Sequence, residues 1–177
     1  QRAKRKLREL VYSFGSDSYF APDLTILSEN ITDGLIKEIA LQQEPDNIVW
    51  CVLENGKFVG MTYRREEEVV AWHDHEIGGT FTDSGTTFNY SFVESVATIP
   101  SSTGTEDEVY IIVARTIGGA TKRYIERLKP IDFGSDVEDA FFVDSGLTYS
   151  GSSATSISGL THLEGQTVRI VANGATH

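Results

Sequence analysis

Cysteine, methionine and proline are scarce in this sequence, and basic residues are outnumbered. The single cysteine, Cys51, excludes an internal disulfide framework. No run of about 18 apolar residues occurs, which excludes a membrane-spanning helix. The chain has 15 Lys and Arg residues against 26 Asp and Glu residues, for a net charge of -11. Because an acidic surface repels phosphate, we do not expect groove-type binding to DNA.

The first 34 residues predict a helical segment. Apolar residues of the basic N-terminus fall at helical spacing, which indicates a short amphipathic helix with a charged, solvated face; they are Ala3, Leu7, Leu10 and Val11. A second helix is expected to begin at Asp23, an N-cap residue type, and to end before Gly34. The basic residues of the first helix could also contact nucleic acid or lipid, but a solvated face is the simpler interpretation.

From residue 48 the apolar pattern changes to a period of two, which predicts antiparallel strands. Asn55-Gly56 and Gly118-Gly119 are expected as hairpin turns. The expected strands span 48–53, 57–63, 68–75, 91–100, 107–116 and 121–128, with an exposed loop over 78–87. The pattern over 35–43 suits either a helix or a strand.

A weak internal repeat relates two parts of this region at a spacing of about 60 residues. The first unit contains Val49-Trp50 followed by Thr62-Tyr63-Arg64. The second unit contains Val109-Tyr110 followed by Tyr124 to Arg127. Recurring antiparallel units of this kind predict β-propeller blades, although a plain sandwich gives a similar pattern. The predicted fold is therefore mainly β, with antiparallel hairpins as propeller-like blades over 35–130, short N-terminal helices over 1–34, and the start of a second small β domain.

The last part of the chain, 131–177, predicts a linker and the beginning of that C-terminal β domain. A Ser/Thr/Gly-rich stretch leads to a strand over 167–171, followed by the turn dipeptide Asn173-Gly174. A strand returning from this turn would need more residues than Ala175, Thr176 and His177 supply. We therefore expect this domain to be truncated and the chain to be a piece of a longer protein.

Two histidines are the strongest candidate for a metal site. His73 and His75 lie two residues apart on a predicted strand and so share a face. That spacing suits zinc or copper, but no third ligand is indicated and Asp74 points the other way. We therefore predict a half-exposed strand with two polar residues, without a metal.

The carboxylates do not form a recognisable catalytic pair. Two groups of acidic residues lie in turn-like segments, where both members of a carboxylate pair stay ionised. The groups are Glu66-Glu67-Glu68 and the cluster of Asp132, Asp136, Glu138 and Asp139. Calcium is the alternative for the second cluster, yet its spacing departs from the helix-loop-helix pattern. Cys51 sits in an apolar run and is expected to be an unreactive core residue. The sequence thus predicts no catalytic residues, no cofactor and no metal.

Seven strings of the sequence are distinctive when taken together. They lie at 42–52 (QQEPDNIVWCV), 55–56 (NG), 61–66 (MTYRRE), 70–75 (VAWHDH), 93–100 (VESVATIP), 107–110 (DEVY) and 123–128 (RYIERL). In this combination they resemble a family of bacteriophage and prophage tail proteins, the phage stabilisation or tail-nozzle (tail tubular) group. The segment 159–174 resembles the opening of the next domain in such proteins. The segment 77–92 departs from the family because it is longer than usual between these strands.

This resemblance implies a virion protein without enzyme activity, made in the bacterial host cytoplasm and incorporated in the tail. Such proteins are similar to β-propeller and β-sandwich rings below the head-tail connector, where they form part of the DNA channel and help to retain packaged DNA. The implied partners are other tail and connector proteins, further copies in a homo-oligomeric ring, and DNA that passes without specific binding. No membrane partner is implied.

Two other classes of function remain open at this point. The first is a surface- or glycan-binding β module of a tail or adhesin, which would use exposed aromatic residues such as Trp50, Trp72 and Tyr90 as sugar platforms. The second is a glycoside hydrolase on a propeller. An exposed aromatic shelf favours the binding module, whereas two buried carboxylates facing one pocket favour the hydrolase.

Overall fold

In the computed structural model of the protein, the described residues are 4–130, 132–135, 146–165, 167–172 and 175–176. These residues form a mainly β structure of several small antiparallel sheets, without a closed barrel or propeller. The strands are β1 (Val11–Ser13), β2 (Ser18–Phe20), β3 (Ile36–Gln42), β4 (Ile48–Leu53), β5 (Phe58–Arg64), β6 (Val69–His75), β7 (Phe81–Asp83), β8 (Thr86–Phe88), β9 (Phe92–Pro100), β10 (Asp107–Ile117), β11 (Ala120–Arg127), β12 (Val171–Ala172) and β13 (Ala175–Thr176). One short 3-10 helix spans Thr161–Leu163.

Strands β3 to β6 form an up-and-down four-stranded sheet in chain order. The ambiguous segment 35–43 is thereby resolved as a strand, β3. The predicted Asn55-Gly56 turn joins β4 to β5, and Gly56 adopts a φ of +80° that favours glycine. The strongest local prediction from the sequence is thus confirmed.

Strands β9, β10 and β11 form a three-stranded sheet, also in chain order. The turn at Gly118-Gly119 and the strands predicted around it are confirmed. The prediction of an exposed loop over 78–87 is wrong in part, because β7 and β8 form a short hairpin there. The backbone N–H of Thr82 donates to Oγ1 of Thr116 at 2.8 Å, and this bond holds the hairpin against the three-stranded sheet.

The main core lies between these two sheets. Trp50, Val52 and Phe58 of the four-stranded sheet pack in one cluster with Val93, Val96, Val109, Ile111 and Val113 of the three-stranded sheet. Full burial of each such side chain stabilises the fold by about 1.5–3 kcal/mol. The alternation that predicted the strands therefore also determines which face of each sheet is buried.

The other face of the four-stranded sheet carries a smaller cluster of Cys51, Leu53 and Val59. Residues N-terminal to β3 cover this cluster, with Ile31 packed against it. They run as extended chain and turns: the backbone N–H of Ile36 donates to the carbonyl of Lys4 at 2.7 Å, and that of Leu24 donates to Leu7 at 3.0 Å.

The predicted N-terminal helices are therefore wrong for the described residues, where 4–10 is irregular and β1 and β2 form a hairpin. Oδ1 of Asp23 accepts the backbone N–H of Thr25 at 3.0 Å, so Asp23 stabilises a turn and no helix follows. Lys6 Nζ lies 2.7 Å from Oδ2 of Asp23, which makes the basic segment a partner of the acidic body. Tertiary contacts outweigh the helical spacing of Leu7 and Leu10.

Parts of the sequence predictions lie outside the described residues. These are positions 1–3 of the basic N-terminus, most of the proposed boundary at 131–138, the carboxylates Asp136, Glu138 and Asp139, and the Asn173-Gly174 turn. The strands on either side of that turn, β12 and β13, pair antiparallel. The described part of the chain contains no helix with the length and hydrophobicity needed to cross a bilayer.

Candidate functional site

His73 and His75 lie on the face of β6 that points toward the main core. Trp50 on β4 is opposite Gly60 on β5, and Gly60 is opposite His73. A Cβ atom at Gly60 would lie 2.2 Å from Cε1 of His73. Because glycine leaves this space, the rings of Trp50 and His73 approach to 5.9 Å between centroids across the intervening strand.

The two imidazoles contact each other directly. Nδ1 of His73 lies 2.7 Å from Nε2 of His75, within hydrogen-bond distance. The ring of His75 meets the ring of Trp50 edge-on, with centroids 4.9 Å apart, and Trp50 stacks on Phe58 at 4.9 Å. The histidines thus extend a partly buried aromatic cluster.

Burial lowers the pKa of both histidines from the usual value of imidazole. For His73 desolvation is the largest cause and the neighbouring Asp74 opposes it. For His75 desolvation is again the largest cause, and the charge that His73 would carry lowers the pKa further. The neutral pair, joined by one N–H···N bond, is therefore the form favoured in the folded protein.

A cavity of about 240 Å³ opens beside His75. Its wall includes the Gly56 turn, the end of β6 and the start of β9, with Lys57, Glu76 and Tyr90 as polar groups. The hydroxyl of Tyr90 donates to the carbonyl of Asn55 at 3.2 Å. The cavity combines an apolar floor at Phe58 with charges of both signs.

The structure brings together the two histidines that the sequence identified, but not a metal-ligand set. Among the described residues, no group of three or more His, Cys, Asp and Glu side chains is placed to hold a metal ion. Oγ1 of Thr62, 3.4 Å from Nε2 of His73, is the further polar neighbour of the pair. Strand β6 is half-exposed, as the sequence predicts, and its two histidines are partly buried and hydrogen-bonded to each other.

The carboxylate candidates stay apart from this site. Glu66, Glu67 and Glu68 lie exposed in the turn between β5 and β6. Oδ1 of Asp132 accepts the backbone N–H of Gly134 at 2.9 Å in a local turn. Cys51 is fully buried, and its burial raises the pKa of the thiol to about 12.

A second candidate site is a surface that sequence reasoning missed. The aromatic shelf consists of Tyr12, Phe14 and Tyr19 on the β1–β2 hairpin, where Phe14 is 91% and Tyr19 is 70% exposed. The Tyr12 ring lies 5.0 Å from that of Phe14 and 5.1 Å from that of Tyr19. The strand pairing of the hairpin places Tyr12 opposite Tyr19, and Phe14 follows in the turn directly after β1.

The aromatic residues proposed from sequence as sugar platforms are less accessible. Trp50 is 4% exposed, and its Nε1 donates to Oε1 of Gln42 at 2.8 Å. Trp72 is half-buried, with Nε1 donating to the carbonyl of Leu24 at 2.8 Å. Tyr90 is half-buried beside the cavity. The aromatic shelf contains the two most exposed aromatic side chains of the described residues, Phe14 and Tyr19.

Comparison with known proteins gives no information on function, so the proposal below is argued from the sequence and the structure. No protein-family model matches the chain, and no curated protein matches it.

Proposed function

We propose that the chain is a non-enzymatic structural component of a phage tail, part of a head-tail connector or nozzle that lines the DNA channel and helps to retain packaged DNA. The observation that carries this proposal is the stacking of two successive antiparallel sheets through Trp50 and Phe58. The seven strings between 42 and 128 that resemble the tail-nozzle group lie in the strands of these two sheets and in the residues that connect or directly follow them.

The arrangement of the sheets supports propeller-like blades. In a propeller each blade is a small antiparallel sheet that packs face to face on the next. Here the first strands of the two sheets adjoin: Oγ1 of Thr98 on β9 donates to the carbonyl of Leu41 on β3 at 2.8 Å. The carboxylate of Asp107 accepts the backbone N–H of Gln43 at 2.7 Å. In two neighbouring blades the first strands lie side by side and the later strands run outward. The contacts between β3 and β9 fit this arrangement.

Charge supports the same role. A channel that passes DNA must not hold it tightly, and the net charge of -11 weakens contact with phosphate. Several basic side chains are also neutralised within the chain, such as Arg123, which makes two hydrogen bonds to the carboxylate of Glu94 at 2.7 and 2.9 Å. Unspecific binding to DNA is therefore expected to be weak at physiological salt.

The proposal is tested with the protein as its gene encodes it. Negative-stain electron microscopy of the purified protein, alone and with connector proteins from the same genome, is expected to show rings. Mass spectrometry of purified virions is expected to detect it in the tail. A protein that stays monomeric with every tail partner and is absent from virions would contradict the proposal.

A second candidate function is a surface- or glycan-binding module, which the aromatic shelf favours. Exposed aromatic faces stack on the apolar faces of sugars, and Tyr adds a hydroxyl for hydrogen bonds. Binding to a glycan array that Tyr19→Ala abolishes and Tyr149→Ala preserves would support this function. Tyr149 is an exposed tyrosine outside the hairpin and serves as the matched control.

A further inference from the structure

Each of the two main sheets ends in an edge strand that has no strand partner on its outer side among the described residues. Strand β6 pairs with β5 and β11 pairs with β10. The two edges have similar lengths, seven residues in β6 and eight in β11. An edge strand presents a row of backbone N–H and C=O groups to any strand that can reach it.

The two edges differ in how they are protected. Lysine and proline on an edge discourage pairing, and β6 contains neither. Its first residues, Val69 and Val70, are exposed. Strand β11 is also exposed along most of its length, including Ile125, but it carries Lys122 and two arginines. A strand that pairs with β6 therefore gains backbone hydrogen bonds without displacing a cation.

The charges of the two edges are opposite. Asp74 is the charged carboxylate of strand β6, and Glu66, Glu67, Glu68 and Glu76 flank the strand. The two arginines before Glu66 are already paired, Arg64 with Asp46 and Arg65 with Glu9. On the other edge, Lys122 and Lys129 have no salt-bridge partner within the described ranges. The two arginines of β11 already pair with Glu94 and Glu108 of their own sheet. The β11 edge thus offers unpaired cations, and the β6 edge offers unpaired carboxylates.

We infer that β6 of one copy pairs antiparallel with β11 of a second copy of this chain. One register, within the bounds of both strands, places Asp74 opposite Lys122. The same alignment places Trp72 opposite Tyr124. Opposite charges and aromatic pairs directly across neighbouring strands are favourable, at roughly 0.2–1 kcal/mol each.

This contact is head-to-tail, because one copy uses β6 and the next copy uses β11. A heterologous contact of this kind closes into a ring or continues as a filament, depending on the rotation between copies. The inference rests on the proposed function in so far as that function requires copies to assemble. It adds which surfaces meet and in what register.

The test uses two single-cysteine additions to the 177-residue chain. Asp74→Cys and Lys122→Cys chains are mixed in equal amounts under mild oxidation, and disulfide-linked peptides are quantified by mass spectrometry. The buried Cys51 remains in both chains. The expected result is a clear excess of 74–122 links over the 74–74 and 122–122 links. Asp83→Cys mixed with Lys122→Cys is the matched control, because Asp83 is an exposed acid outside both edges.

Charge exchange gives a second, independent measurement. Asp74→Lys or Lys122→Asp alone is expected to weaken self-association by about fivefold or less for a single cross-strand pair. Combining the two in one chain is expected to restore it, as measured by sedimentation equilibrium. A statistical mixture of disulfide links, or no links at all, would overturn the pairing. Rings in electron microscopy that persist without the 74–122 link would overturn it while leaving the proposed function standing.

Discussion

Nδ1 of His73 and Nε2 of His75 lie 2.7 Å apart beneath the ring of Trp50, so the two imidazoles share a hydrogen bond inside a partly buried aromatic cluster. They lie two positions apart with Asp74 between them, and the strand geometry of β6 places them on one face. Protonation of both rings would place two positive charges side by side in a poorly solvated position. Acid stability is therefore the first property that the pair controls.

We expect the free energy of unfolding to fall as the pH drops below about 6.5, the unfolded pKa of histidine. Desolvation lowers the folded pKa of both rings, so the unfolded chain binds protons more readily in this window. The stabilisation is fully present above that pH. Other groups beside the pair are Asp74 on the same strand and Lys57, Glu76 and Tyr90 around the cavity.

Urea unfolding at a series of pH values between about 5 and 7.5 measures this slope. The double variant His73→Asn, His75→Asn is expected to flatten it. His162→Asn, in the short 3-10 helix, is the control and should retain the slope. An unchanged slope in the double variant would show that other groups control the acid response.

Gly60→Ala is expected to destabilise the protein by about 1–3 kcal/mol, because the new methyl group would overpack the contact with His73. The nearest ring atom would lie 2.2 Å away. Thermal unfolding measures the effect. Gly15→Ala is the matched control, since nothing lies within 4 Å of the added atom there, and it should change stability by less than about 0.5 kcal/mol. Equal effects of the two variants would count against the close approach.

Arg115 is a buried cation held by Glu126 and by the carbonyl of Gly78. Nη2 of Arg115 donates to Oε2 of Glu126 at 3.1 Å, and Nε donates to Gly78 at 3.0 Å. Glu126→Gln should cost about 1.5–3 kcal/mol, because the guanidinium loses its charged partner while remaining buried. Asp46→Asn removes the partner of Arg64 in an exposed pair and should cost less than about 1 kcal/mol. Chemical denaturation distinguishes the two, and a similar small loss in both would contradict the difference in burial.

Cys51 is expected to react with a thiol reagent only as fast as the protein opens. The side chain is fully buried, and burial raises the pKa of the thiol to about 12, so little thiolate is present at neutral pH. The labelling rate in the native state should fall far below the rate in denaturant. Rapid native labelling would show that the N-terminal segment does not cover the outer face of the four-stranded sheet.

The β4–β5 hairpin could be predicted from sequence because everything that determines it is local. Alternating apolar residues and the Asn55-Gly56 turn specify both strands and their register. The N-terminal helices could not be predicted correctly, since Leu7 and Leu10 have helical spacing in a segment whose conformation depends on contacts with residues far along the chain. Local pattern and tertiary contact disagree there, and tertiary contact prevails.

The candidate site was predictable in part for the same reason. Strand periodicity placed His73 and His75 on one face, but the ring of Trp50 reaches His73 across β5 because Gly60 lies between them in the register. The aromatic shelf required knowledge that Tyr12 lies in a strand, which the helical interpretation excluded. Spacing along a strand can be read from sequence, whereas neighbours across strands depend on the assembled sheet.

The order of the strands has a consequence for synthesis on the ribosome. Each sheet is built from segments adjacent in the chain, so all strands of the four-stranded sheet are available once residue 75 has left the exit tunnel. The partners that cover Trp50 and Phe58 follow only with β9 and β10. For that interval the nascent chain carries an uncovered aromatic face, a natural binding site for a chaperone. Pauses in translation after residue 75 has emerged and before residue 113 has emerged would prolong the exposure and should lower the yield of soluble protein.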